Sequence, residues 1–96
     1  MPQIVLTRRA WNDLARLRDF LRDKNPQAAA KAVQRLTSAI NQLEVFPYIG
    51  REVEELPEGF RELVVSFGND GYVVLYEASS EQVTITAIRH QREAGF

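Results

Sequence analysis

"KNPQAAA", residues 24–30, decides the fold. The Asn25 side chain can accept from the free N–H groups of a helix's first turn. Pro26 suits the first helical position, where its missing N–H costs nothing. A helix therefore starts here. Upstream, Trp11, Leu14, Leu17 and Leu21 recur at intervals of three and four with Phe20 beside them, an apolar stripe behind a Thr7 cap. That spacing predicts a helix over 8–23. Downstream, Ala29, Val33, Leu36, Ile40 and Leu43 repeat at 4, 3, 4, 3, with Ala28, Ala32 and Ala39 alongside. This predicts a helix over 26–46, stopped by Pro47, because the residue before a proline avoids helical backbone. Only Lys24 and Asn25 separate the two stripes, so the helices form an antiparallel hairpin.

Outward from the hairpin the pattern is β. "QIVLT" (3–7) reads as a first strand, and "PYIGREVEELPEGF" (47–60) as an irregular surface connection. "FRELVVSF" (60–67), "YVVLYEA" (72–78) and "VTITAI" (83–88) are strands joined by the turn sequences "GNDG" and "SSEQ". The order is β-αα-βββ. The expected fold is α+β, one domain over 1–96, with the helical hairpin packed on a curved antiparallel sheet. On the middle strand Tyr72, Val74 and Tyr76 share one face and Val73 and Leu75 the other, so both faces are apolar. The helices cover one of them. Either the sheet curls around the other or a partner covers it, and a partner is the expectation.

The bulk numbers exclude several classes. Ninety-six residues, 45% hydrophobic and 26% charged, suit one globular core. The absence of cysteine removes disulfides and thiolate metal sites, and one histidine with scattered carboxylates makes a metal site or other cofactor unexpected. No stretch approaches the roughly 20 apolar residues of a spanning helix, so a soluble, cytoplasmic protein without membrane attachment is expected. The net charge is −1, but eight Lys/Arg against four Asp/Glu over 1–46 give +4, and four against nine over 47–96 give −5. Such a split fits separate surfaces for separate partners, and equally a solvated helix face followed by acidic loops.

Candidate chemistry gathers at "AIRHQRE" (87–93), where the last strand ends in Arg89 and His90, with Arg92 close behind. Arg61 opens the first strand of the meander and is expected to approach them. Arginines beside a histidine can hold a phosphodiester and move protons near neutral pH. A lone histidine at a strand end is more often structural than catalytic. Tyr72 and Tyr76 are strand residues first and base-stacking platforms second.

The element order together with "IVLTRRAWNDLARLRDFL", "FPYIGREV", "GFRELVV", "GYVVLYEA" and "VTITAIRHQRE" resembles the RelE/ParE superfamily of type II toxin–antitoxin toxins, also known as plasmid stabilisation proteins. The resemblance spans nearly the whole chain. It implies a growth-inhibiting toxin, neutralised by a cognate antitoxin in a hetero-oligomer whose extended segment covers apolar toxin surface. RelE-like members cut mRNA on the ribosome, whereas ParE-like members inhibit DNA gyrase. The ribonuclease branch typically has a basic residue where Val73 and Val74 stand and a tyrosine where Phe96 stands. It also favours lysines where Glu52, Glu54, Glu55 and Glu58 stand. "LTRRAWNDL", the long hairpin and "AIRHQRE" look closer to ParE. The resemblance therefore implies a gyrase inhibitor acting by protein–protein contact. Arg61, Arg89, His90 and Arg92 would bind the target, and Trp11, Arg18, Tyr72 and Tyr76 the antitoxin. The enzyme alternative is a ribosome-dependent endoribonuclease, with His90 as general acid/base and Arg61 or Arg89 clamping phosphate. A non-toxic pairing module is a third class.

Overall fold

The structure, a computed structural model, describes residues 1–93. Phe96, the terminal aromatic weighed above, lies outside the described residues. The elements are β1 (Gln3–Leu6), α1 (Arg8–Lys24), α2 (Pro26–Asn41), a 3₁₀ turn (Gln42–Glu44), β2 (Arg51–Glu52), β3 (Phe60–Phe67), β4 (Asp70–Ala78) and β5 (Gln82–His90). The α+β class and the helical hairpin stand as expected.

One residue makes the hairpin. The Asn25 backbone N–H donates to the Leu21 carbonyl at 2.7 Å and closes α1, while its side-chain oxygen accepts from the N–H groups of Gln27 and Ala28 and opens α2. α2 stops at Asn41, five residues short of the expected Phe46. Its ladder tightens there into the 3₁₀ turn, which drops Leu43 into the core at 0% exposure. Pro47 therefore ends the turn beyond the helix, not the helix itself.

The sheet has five strands in the order β1-β5-β4-β3-β2, and it is mixed. β1 runs parallel to β5, pairing Gln3 with Gln82 through Leu6 with Ile85, while every other neighbour is antiparallel. β2 is only two charged residues, too short to show alternation, and it lies in the stretch read as irregular. The β3–β4 loop has φ +62° at Gly68, and no non-glycine residue has positive φ among the described residues, so Asn69 is negative. That combination is the II′ hairpin pattern.

A β-bulge opposite Leu75 and Tyr76 changes the reading of β5. Leu75 faces Ala87 and Tyr76 faces Ile85, leaving Thr86 unmatched. Strict alternation along 83–90 would put Ile88 and His90 on the face of Thr84 and Thr86. The extra residue instead turns Ile88 and His90 to the face of Val83 and Ile85, against the helices. The core is then Leu17, Leu36, Leu43, Val74, Tyr76, Val83, Ile85 and Ile88 with their neighbours.

The far face of the sheet is not the open surface expected from the sequence. Val73 and Leu75 are 5% and 7% exposed in the chain alone. Val73 sits between Val64 and Arg89, and Leu75 between Glu62 and Ala87, so the flanking strands shield the middle one. Among the described residues, Val64 on β3 is the one large apolar side chain exposed on this face, at 54%; the others lie chiefly on α1 and in the connection after α2.

Beyond Ile85, β5 has no strand on the β1 side, and side chains complete that edge. The Thr7 hydroxyl donates to the Thr86 carbonyl at 3.1 Å and also accepts from the Ala10 N–H, capping α1. Asp13 on α1 accepts the Ile88 N–H at 2.9 Å. Asp13→Ala leaves that buried N–H without its acceptor and is expected to cost about 1–3 kcal/mol by urea unfolding, with Asp13→Asn recovering most of it.

Candidate functional site

The bulge delivers His90 to the wall of a groove between α1 and the ends of β4 and β5. The groove measures about 740 Å³. Its apolar side is Leu17, Phe20 and Leu21 from α1, with Phe67 and Tyr72 from the sheet. Phe20 stands at the groove 62% exposed. The polar rim consists of Arg16, Asp70, Arg92 and Glu93.

The rim is a chain of hydrogen bonds. Arg16 donates to the Glu93 carboxylate at 3.0 Å, which also accepts the His90 backbone N–H at 3.2 Å. Burial pushes the Glu93 carboxyl up, but the hydrogen bond and charge of Arg16 and the His90 backbone N–H outweigh it and leave it below its ordinary value. His90 Nδ1 accepts the Arg92 backbone N–H at 3.1 Å, and the Arg92 side chain pairs with Asp70 at 3.1 Å. Half-buried Arg89 donates to the carbonyls of His90, Gln91 and Glu93 at 3.3 Å each, binding the end of β5 to the turn that follows.

This geometry constrains His90. An Nδ1 that accepts puts the proton of the neutral ring on Nε2. To take a proton through Nε2, the imidazole would first have to move its own to Nδ1, breaking the bond from Arg92. The ring also stands edge-on to Tyr72, with centroids 5.5 Å apart. His90 is thus placed as a donor and a packing group.

The structure brings Arg89, His90 and Arg92 together and sets Arg61 apart. In a meander the two outer strands run parallel to each other, so the start of β3 lies beside the start of β5, not its end. Arg61 accordingly pairs with Tyr76, and His90 with Tyr72, four residues along β4 and about 13 Å away at the usual rise. Arg61 donates instead to the carbonyls of Tyr48 and Gly50, and pairs with Glu52.

Of the residues assigned to antitoxin contact, Trp11 is 58% exposed, the largest departure of α1 from its expected buried stripe. It borders a second hollow with Leu6, Leu14 and Ile40. Arg18, seven residues on and so on the same helical face, is exposed and paired with Asp19. Tyr76 is corrected: at 0% exposure it is a core residue, not a contact surface, while Tyr72, 3% exposed, reaches the surface only as part of the groove wall. Burial pushes both phenols above their ordinary value, with the bond to Gly50 and the charge of Arg61 pulling Tyr76 the other way. Phe20, Arg16 and Glu93 were not singled out from the sequence. Phe20 carried a signal, standing beside the stripe where a core residue has no place. Among the described residues no three His, Asp or Glu side chains converge as a metal site would require, and no helix is long and apolar enough to cross a membrane.

Comparison with known proteins gives a consistent result. Residues 4–95 match the family described as the ParE toxin of the type II toxin–antitoxin system parDE. Toxin RelE3 of Caulobacter vibrioides is 38% identical over 93 residues, covering 97% of this chain and 98% of that protein. Toxin ParE3 of the same organism is 30% identical, covering 92% and 85%. A solved structure described as the chromosomal ParDE toxin–antitoxin system from P. aeruginosa superposes with a TM-score of 0.77 at 24% identity, over 94% of this chain and 96% of that one.

Proposed function

The chain belongs to the ParE toxin family and is the toxin of a type II toxin–antitoxin system, and on that premise we propose that it inhibits DNA gyrase by protein–protein contact and is neutralised by an antitoxin seated in the groove beside Phe20. The observation that carries this reading is the rim at the end of β5. Its cations are committed to carboxylates, Arg16 to Glu93 and Arg92 to Asp70, and His90 already accepts at Nδ1. A phosphate clamp needs cations aimed at an empty position and a base with a free nitrogen. Exposed ion pairs, each worth under about 1 kcal/mol, exchange readily for contacts with a protein partner. On this reading Arg89, His90 and Arg92 border the target contact. An antitoxin filling the groove covers that border, so neutralisation is competition for one surface.

The ribonuclease reading draws its support from the RelE name of the relative at 38% identity. It assigns proton transfer to His90. Removing a general acid/base costs about 10²–10⁴-fold in rate, whereas trimming one residue at the border of a protein contact costs under about tenfold. Purified toxin is therefore expected to block gyrase supercoiling and leave ribosome-bound mRNA intact, with His90→Ala weakening inhibition less than about tenfold. Cleavage of mRNA that vanishes in His90→Ala, with supercoiling untouched, overturns the gyrase reading.

A further inference from the structure

Beyond α2 the chain exposes a compact apolar prominence at the other end of the molecule from the groove. Val45, Phe46, Tyr48 and Ile49 are 59%, 59%, 52% and 55% exposed, and with Pro47 they enclose a shallow hollow of about 370 Å³. The turn is held fixed. The Ile49 N–H donates to the Phe46 carbonyl at 3.2 Å. The next residue, Gly50, donates its N–H to the buried Tyr76 hydroxyl at 2.9 Å. Arg61 holds the carbonyls of Tyr48 and Gly50 at 3.0 and 2.7 Å, with its guanidinium 5.3 Å from the Tyr48 ring centre. A buried tyrosine and a half-buried arginine thus keep greasy side chains in water. A contact surface ordered in advance loses little freedom when it binds, and rigid aromatic anchors carry much of the affinity of protein interfaces.

Charge identifies the occupant. Residues 44–58 contain Glu44, Glu52, Glu54, Glu55 and Glu58, and the cations beside the knob, Arg51 and Arg61, are paired with Glu62 and Glu52. Nucleic acid is repelled by such a surround. A second copy docking the same patch on itself would set like charge against like. We infer that the turn over residues 45–49 is a docking knob for a protein whose matching face carries lysine or arginine around an apolar hollow, and that this partner is the toxin's target, not its antitoxin. The identification with the target rests on the reading above that the target is a protein. The groove and the knob flank opposite ends of β4, so the target is held at the knob and meets the antitoxin only at the border of the groove.

Two double variants test the knob: Phe46→Ser with Ile49→Ser, and Glu54→Lys with Glu55→Lys. Both alter exposed side chains, so unfolding midpoints and antitoxin affinity are expected to stay within about twofold of wild type. Growth arrest and gyrase inhibition are expected to need at least about 30-fold more of the serine variant and about tenfold more of the lysine variant. Full potency of the serine variant overturns the inference. So does a fall in antitoxin affinity, which makes the knob an antitoxin contact, or a wild-type dimer that the serine variant dissociates. Should wild type leave gyrase untouched, the gyrase reading falls by itself, and the comparison of growth arrest still decides the knob.

Discussion

Tyr76→Ala is expected to remove about 3–5 kcal/mol, a large share of the roughly 5–15 kcal/mol that holds such a domain, and to lower its melting temperature steeply. Tyr76 is 0% exposed at the centre of β4, packed with Val74, Ile85 and Leu43 in the core. The loss combines a large apolar volume with one hydrogen bond. Tyr76→Phe separates them, keeping the ring and leaving the buried Gly50 N–H without an acceptor, at about 1–3 kcal/mol. At roughly 4–8 °C per kcal/mol for a domain this small, melting curves resolve the two. Gly50→Ala attacks the same joint from the other side, since a Cβ there would stand 2.6 Å from the Tyr76 hydroxyl and 2.8 Å from the Glu62 carbonyl. A Tyr76→Phe protein that melts like wild type would mean the hydroxyl does not anchor the turn. The rigid knob would then lose its foundation.

Phe20→Glu is expected to leave the fold intact and to release the toxin from its antitoxin. The side chain is mostly exposed at the groove, so its removal takes little from the core, while a charge there opposes an apolar segment seated beside Leu17 and Leu21. Central aromatic anchors contribute about 2–4 kcal/mol to binding, or roughly 30- to 1000-fold in affinity. Calorimetric titration with the antitoxin reads the loss directly. In cells the variant should arrest growth even when antitoxin is co-expressed. Full rescue by antitoxin would remove the groove as its seat.

What the sequence disclosed follows from the range of the interactions involved. The shared cap at Asn25 and Pro26 acts over three or four residues, and the β-branched and aromatic runs of β3 and β4 span eight or nine, so both were legible. β1 has no local signal for its partner, because that partner lies near the other end of the chain. The bulge at Thr86 inserts one residue without any glycine or proline to announce it, and it reversed the face of His90. Arg61 was expected near His90 from its place at the start of a meander strand, but β3 and β5 both flank β4 and run parallel, which puts Arg61 at Gly50 instead. The second helix was drawn too long because Pro47 marks where helix is forbidden, whereas burial of Leu43 decides where it stops. "VFPYI" did carry a sign of its own: an apolar run inside a turn-rich acidic stretch has no place in a core.

The parallel pairing of β1 with β5 has a consequence for how the protein is born. Gln3 and Gln82 lie 79 residues apart, and at about 5–20 residues per second the first strand waits about 4–16 s during synthesis for its neighbour to be made. Until then the acceptor on Asp13 and the hydroxyl on Thr7 have no strand edge to complete. The groove has no far wall in that interval. A nascent chain short of its final strand therefore lacks the groove, and with it the seat proposed for the antitoxin.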